Sequence, residues 1–323
     1  MVISPAKTLD LSPLSERALE MVDHETIAAI SSAKHTSLCD QEKTNEIVNI
    51  MKMKSEAELK SLLSLSPALS KVSHQYWQDF SMDMDNNKRK DDSLFAVFTF
   101  NGPAFQGISA HNCNKPTLSY MGQNLFILDA VFGVLRSLDT LQPYRLEMGC
   151  KGVVPSNNAN GKKETLATYW KESVTSYLGK ELINSSKGKS SSSPAILANL
   201  ASDEYSSSID VVSLPPNTIY INTIFRHQGR VLAVHAKRAR GLMARYLSET
   251  GAQTLEDVSK FNLENYKCID IDGGNKKWEV TDVVGDNVQV IQMIFDRSEA
   301  PPKAVKRTAA SSSKKGVKKT KKK

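Results

Sequence analysis

Short continuous apolar runs and helical stripes alternate along this chain, and no internal repeat is visible. Val2 and Ile3 form an apolar pair cut off by Ser4-Pro5; proline lacks the ladder N–H and restricts the residue before it, so a strand running into a turn is expected. Residues 14–80 are polar and lysine-rich, with Leu59, Leu62 and Leu63 at helical spacing, which predicts several helices and a stop near Pro67. Residues 83–93 are charged and unpatterned, as in a loop. The aromatic, β-favouring run 94–100 after them reads as a strand closed by the turn Asn101-Gly102-Pro103. Leu125, Leu128, Val131 and Phe132 share a helical face, which predicts a helix over 123–132 ended by Gly133 and a second one from Ser137 to Pro143.

Further on, residues 144–148 are expected to be extended and 161–178 helical, whereas 184–193 (NSSKGKSSSS) is a low-complexity loop. Residues 195–200 read as a strand ending at Ser202-Asp203-Glu204-Tyr205. Residues 218–225 and 231–235 flank Gly229 as a hairpin. Ala239, Leu242, Met243, Tyr246 and Leu247 then keep the spacing of a core-facing helix. Strands mixed with helices, including a hairpin, point to an α/β fold with a mixed sheet and surrounding helices. One domain is expected over 1–300, with polar insertions near 83–93 and 184–193, followed by a disordered Lys-rich tail over 301–323.

Composition changes this picture in two places. The chain has 323 residues, 40% of them hydrophobic, enough for one large core. Its net charge of +7 belongs to the tail. Ten of the 42 Lys and Arg residues lie in 301–323, where there is no acid, so the first 300 residues carry 32 bases against 35 acids, a net charge near −3. A global argument from basicity to nucleic acid therefore fails for the body, which would need a local patch. No apolar run is long enough to span a bilayer and the start has no secretory pattern, so a cytosolic protein is expected, or a nuclear one through the tail, with no membrane partner. The four cysteines are spread out, as reduced thiols would be.

Several groups of residues carry candidate chemistry. Lys237, Gly241 and Arg245 fall opposite the apolar stripe of the last helix, with Arg238 and Arg240 on its flanks: a phosphate-binding face, or an ordinary solvated one in which Gly241 serves helix packing. Asp203 and Glu204 stand where a strand ends, a usual place for ligand sites in α/β folds, although helix capping by Ser202 or Asp203 explains them equally well. Ser4, Lys7, Thr8 and Asp10 form a polar cluster without P-loop glycines, and Arg145 with Glu147 reads as a structural salt bridge. No His/Cys spacing suggests a metal site, and no cofactor is evident. The tail would attract phosphate backbone or serve the import machinery.

In order along the chain, ISPAKTLD at 3–10, FNGPAFQG at 100–107, GVLRSLDTLQPYRLEMG at 133–149, Tyr169-Trp170, LASDEY at 200–205, AKRARGLMARYL at 236–247 and Phe261-Asn262 with Tyr266 resemble the motifs of the YaaA family, over about residues 1–272. The resemblance implies a compact single-domain α/β fold with a cleft and a helix-hairpin-helix element. It also implies a part in surviving hydroperoxide stress, by limiting free iron and its damage to DNA, and binding of double-stranded DNA. Carried over, the hairpin would be the helix ending near Phe132, the turn from Gly133 to Arg136 and the helix from Ser137, placing Gly133 and Arg136 on the phosphate backbone without reading bases. This sequence departs from the family in having no lysine and acid around Asn101–Pro103, and Ser137 in place of a proline. Two readings follow. One is a non-enzymatic protein bound to double-stranded DNA through Gly133, Arg136, Lys237, Arg238, Arg240, Gly241 and Arg245. The other is an enzyme acting on a nucleotide or another phosphorylated substrate, with Lys7, Asp203, Glu204, Lys237 and Arg240 in one pocket. Whether those residues converge in space discriminates the two. Direct iron sequestration ranks last, because no ligand cluster is displayed.

Overall fold

A two-residue strand organises the sheet. The computed structural model describes residues 1–21, 39–81, 94–154, 163–186, 193–269 and 276–298, so the insertion at 83–93, most of 184–193 and the tail lie outside it. In chain order the elements are β1 (Val2–Ile3), α1 (Glu16–Met21), α2 (Gln41–Lys52), α3 (Glu56–Leu63), α4 (Pro67–Asp79), α5 (Ala96–Thr99), α6 (Pro103–Ile108), α7 (Lys115–Asn124), β2 (Phe126–Asp129), β3 (Gly133–Arg136), α8 (Leu166–Ser186), β4 (Ala195–Leu200), α9 (Asp203–Ser206), β5 (Thr218–His227), α10 (Ala233–Thr250), α11 (Leu255–Ser259), β6 (Lys267–Cys268), β7 (Glu279–Val284) and β8 (Val288–Arg297). The eight strands form one mixed sheet ordered β3-β2-β1-β4-β5-β8-β6, with β7 also on β8. Strands β2, β1, β4, β5 and β8 run parallel, while β3, β6 and β7 are antiparallel to their neighbours.

β1 can be so short because it is paired on both sides. Val2 lies opposite Phe126 and Asn199, and Ile3 opposite Ile127 and Leu200. After β1 the chain first builds the β2/β3 side and then returns through α8 to build β4, β5 and β8 on the other. The point where the order reverses lies between β1 and β4, and the crevice beyond the carboxyl ends of such strands is where open α/β sheets bind ligands. α8 packs on β3 and β4, and α10 on β4, β5, α6 and α7.

Local signals set many element ends. Ser55 and Glu58 close a capping box on α3, Thr254 and Asp257 another on α11, and Asp40 caps α2. α3 ends at Leu63 with Ser64 in the left-handed region, and Pro67 opens α4 instead of stopping a helix.

Four expectations are corrected. Residues 126–129 and 133–136 form a β-hairpin, with Phe126 opposite Arg136 and Asp129 opposite Gly133, so no helix-hairpin-helix exists there. Every residue of both strands is buried. A strand covered on both faces loses its alternation, and its continuous apolar run also satisfies a helical stripe. Gly133, at φ +71, has the Trp170 ring 2.7 Å from where a Cβ would stand, and the Trp170 indole N–H donates to the Ala130 carbonyl at 3.0 Å. Residues 94–100 are not a strand: the N–H groups of Ala96 and Val97 bond the carbonyls of Asp139 and Ser137, and the chain then makes the single turn α5 before Phe100 bridges Leu9. Residues 231–235 do not pair as a strand, because β5 already has β4 on one edge and β8 on the other; beyond the His227–Arg230 bridge the chain turns into α10. α8 continues to Ser186, into the segment expected to be a loop from 184.

Candidate functional site: a cationic cleft at the carboxyl ends of β1 and β4

The two chain departures at the reversal point are stitched together. The Ser4 hydroxyl accepts the Ser202 N–H at 2.9 Å and lies 3.2 Å from the Ser202 hydroxyl, across 198 positions of sequence. Ser202 is the residue before α9, but its side chain goes to Ser4 and not to the helix. Above this pair opens a cleft of about 260 Å³ whose walls come from Ser4 to Thr8, Gly102 to Ala104, Ser202, Glu204, Tyr205, Lys237 and Arg240. Lys7, Glu204, Lys237 and Arg240 therefore face one space. Asp203 is exposed on α9 and close enough to Arg240 to act on its charge.

Each charged wall is fixed differently. Lys7 Nζ pairs with Glu147 Oε1 at 2.7 Å, which corrects the expected Arg145–Glu147 bridge; Arg145 lines a smaller hollow that shares Pro5, Ala6, Lys7 and Tyr205 with the cleft. Glu204 Oε1 accepts the Gly149 N–H at 2.9 Å, which sets the orientation of that carboxylate. Arg240 is half-buried. Its Nε is buried without a hydrogen-bond partner among the described residues, and burial lowers its pKa against the opposing pull of Asp203. An unpaired buried guanidinium N–H costs desolvation, while Arg240 as a residue also lines the cleft.

On α10 the expected phosphate face is divided. Lys237 is exposed, but Arg238 is bound to Glu264 at 2.6 Å and Arg245 to Glu249 at 2.7 Å. Gly241 is buried: a Cβ there would stand 1.7 Å from the Ala104 carbonyl oxygen, so this glycine lets α10 cross α6 in contact and is not a surface for a partner. Gly133 and Arg136 sit in β3, away from solvent. Arg136 is 5% exposed, pairs with Glu181 at 2.7 Å and lies over the Phe126 ring.

A second polar cluster anchors α10 at the same edge of the sheet. Buried Arg297, at the end of β8, donates from Nε to His227 Nδ1 at 3.1 Å and from Nη1 to Glu264 at 3.1 Å, and its Nη2 lies 2.9 Å from His235 Nδ1. Because Arg has no acceptor, both Nδ1 atoms are acceptors, so the neutral rings carry their protons on Nε2. Burial first, then Arg297 and His227, hold the His235 pKa below its usual value. The described residues contain no group of three or more His, Cys, Asp or Glu placed to hold a metal ion.

Sequence reasoning missed Glu147 as the partner of Lys7, Tyr205 as a wall of the cleft, and the Gly149 N–H that orients Glu204. Only the strand-end position of the SDEY motif signalled Tyr205; nothing local linked Lys7 to Glu147.

Fold and cleft thus define an α/β protein with a crevice lined by Lys7, Lys237 and Arg240 at a topological reversal. Residues 1–270 match the family model described as peroxide stress protein YaaA, and the chain belongs to that family. Similar proteins carry the name UPF0246 protein. That of Chromobacterium violaceum is 32% identical over 270 residues, covering 82% of this chain and 92% of its own length. That of Francisella philomiragia is 31% identical over 272 residues, covering 83% and 93%, and that of a Psychrobacter species 31% over 239 residues, covering 73% and 85%.

Proposed function

We propose that this protein serves hydroperoxide-stress tolerance by holding a phosphate group in the cleft between β1 and β4. The observation that carries the reading is the meeting of Lys7, Lys237 and Arg240 in one crevice. Lys237 and Arg240 stand one helical turn apart on α10, with Lys7 and the oriented Glu204 carboxylate in the same cleft. The cations meet phosphate oxygens, and Glu204 stands ready to accept a hydrogen bond from a hydroxyl of the same ligand. At about 260 Å³ the space lies just below the usual range of small-molecule sites, which favours a small phosphorylated molecule or the phosphate end of a nucleotide.

Titration calorimetry with inorganic phosphate and with nucleoside phosphates tests the reading. Lys237→Ala and Arg240→Ala are each expected to weaken binding by about tenfold to a hundredfold, the worth of one charge-assisted hydrogen bond. Unchanged affinity in Arg240→Ala would overturn it.

The phosphate backbone of double-stranded DNA is a second source of the same chemistry, favoured by exposed Lys237 and by the ten cations of residues 301–323. It ranks behind the small ligand because Glu264 and Glu249 neutralise two of the helix arginines. In that case duplex binding shows little sequence preference, falls steeply with salt, survives in part in a chain ending at residue 300, and drops in Lys237→Ala. Any effect on free iron then runs through the bound phosphate or the protected DNA.

A further inference from the structure

Polar contacts tie down the start of α10. Leu232 at its N-cap makes no side-chain cap bond, residues 231–234 are exposed, and burial on the helix begins only at Ala236. The Arg297 cluster supplies the tie. Arg297 Nη2 reaches His235 Nδ1 at 2.9 Å, and Arg238, one turn further along α10, pairs with the same Glu264 that accepts Arg297 Nη1. Arg297 is only 1% exposed, is bound to His227 of β5 as well and lies over the Tyr266 ring, so its guanidinium is fixed in place.

This arrangement suits a neutral His235 and opposes a charged one. Nδ1 has a single lone pair, here directed at Arg297; a proton on that atom sets N–H against N–H and a second cation beside the guanidinium. His235 is also the third residue of the helix, where the positive end of an uncapped N-terminus disfavours a cation. Arg297 from β8 and His227 from β5 face the ring, and Glu264, in the turn before β6, is already shared between Arg297 and Arg238. On the same helix Lys237 lines the cleft.

We propose that His235 is an acid-sensitive latch on α10: protonation of its ring breaks the bond to Arg297, frees the first turns of the helix and loosens the cleft wall that Lys237 and Arg240 supply. The effect on the cleft rests on the phosphate reading above, whereas the latch does not. In the closed state the ring is held neutral below its ordinary range, while a released ring takes up a proton near pH 6.5. Opening is therefore disfavoured above about pH 6.5 and becomes easier as pH falls below it.

Amide hydrogen exchange of the full chain from about pH 7 to about pH 5, corrected for the intrinsic rate, tests the latch. Protection over residues 235–240 should fall by about tenfold, the worth of one pH unit of proton coupling, while β4 and β5 keep theirs. In His235→Asn the side-chain carbonyl accepts from Arg297 but takes no proton in this range, so protection there should not depend on pH. Inorganic sulfate keeps its charge over the same range, and its affinity should fall by about tenfold in the parent and stay level in the variant. Protection that ignores pH in the parent, or that falls equally in His235→Asn, would overturn the latch. Sulfate affinity that ignores pH while exchange responds would overturn its action on the cleft. Responding exchange with no sulfate bound even at pH 7 would support the latch and refute the phosphate reading alone.

Discussion

Replacing Gly241 by alanine separates a surface glycine from a packing glycine by the sign of its effect. At an exposed helical position the change would stabilise by about 1 kcal/mol, the difference in helix propensity. Here the new Cβ would stand 1.7 Å from the Ala104 carbonyl oxygen and 2.6 Å from its carbon. Ordinary contact needs about 3.5 Å, so α10 and α6 would have to part by roughly 1.5–2 Å. The obstacle is backbone and cannot rotate away. Opening the crossing loosens Phe105 and Ile108 on α6 against Ala239, Leu242 and Met243 on α10, all buried. Overpacking that displaces backbone costs about 3 kcal/mol or more, leaving a net loss of about 2–4 kcal/mol after the propensity gain. For a protein of this size that lowers Tm by about 3–6 °C, measurable by calorimetry or circular dichroism. Gly107→Ala should act in the same direction, because its Cβ would meet the Arg238 carbonyl oxygen at 2.4 Å. Since Ala104 lines the cleft, phosphate affinity should fall with stability. A Gly241→Ala variant with an unchanged or raised Tm would refute the close-crossing argument.

Arg136→Met leaves Glu181 largely buried without its cation and should cost about 3–5 kcal/mol in denaturant unfolding, with most of it recovered in Arg136→Met/Glu181→Met; a stable single variant with weakened DNA binding would show instead that Arg136 acts at the surface. Burial pushes the Asp139 carboxyl up to about 6, so the fold retains a proton that the unfolded chain has released. Its contribution to stability is present below about pH 4 and lost as pH rises through 6. Asp139→Asn should therefore be more stable than the parent above pH 6, with the difference vanishing near pH 4 in unfolding curves taken across that range; a pH-independent difference would show that the carboxyl does not titrate in this way.

Much of the frame was legible because local rules act alone there. β1 before Ser4-Pro5, β4 over 195–200 and the buried stripe of α10 all lie where they were expected. The segment 125–132 was not legible, since nearly every position is apolar and both periods fit it. Pairing Phe126 and Ile127 with β1 decided for strand over helix. Gly241 was legible as an oddity but not in its purpose. Its neighbour in space is Ala104, more than a hundred positions away.

By itself the sequence determined the family, through motifs that recur in order, and the location of the basic charge, through a stretch with no acid. It also placed Lys7, Glu204, Lys237 and Arg240 among a few candidates, because strand ends and helix faces are local properties. Only the tertiary structure decided that these four meet while Gly133 and Arg136 are withdrawn into a buried hairpin. The physical reason is that parallel pairing of β1 with β4 joins residues 198 positions apart, as the Ser4–Ser202 hydrogen bonds record, and no local propensity encodes which distant strands will share an edge.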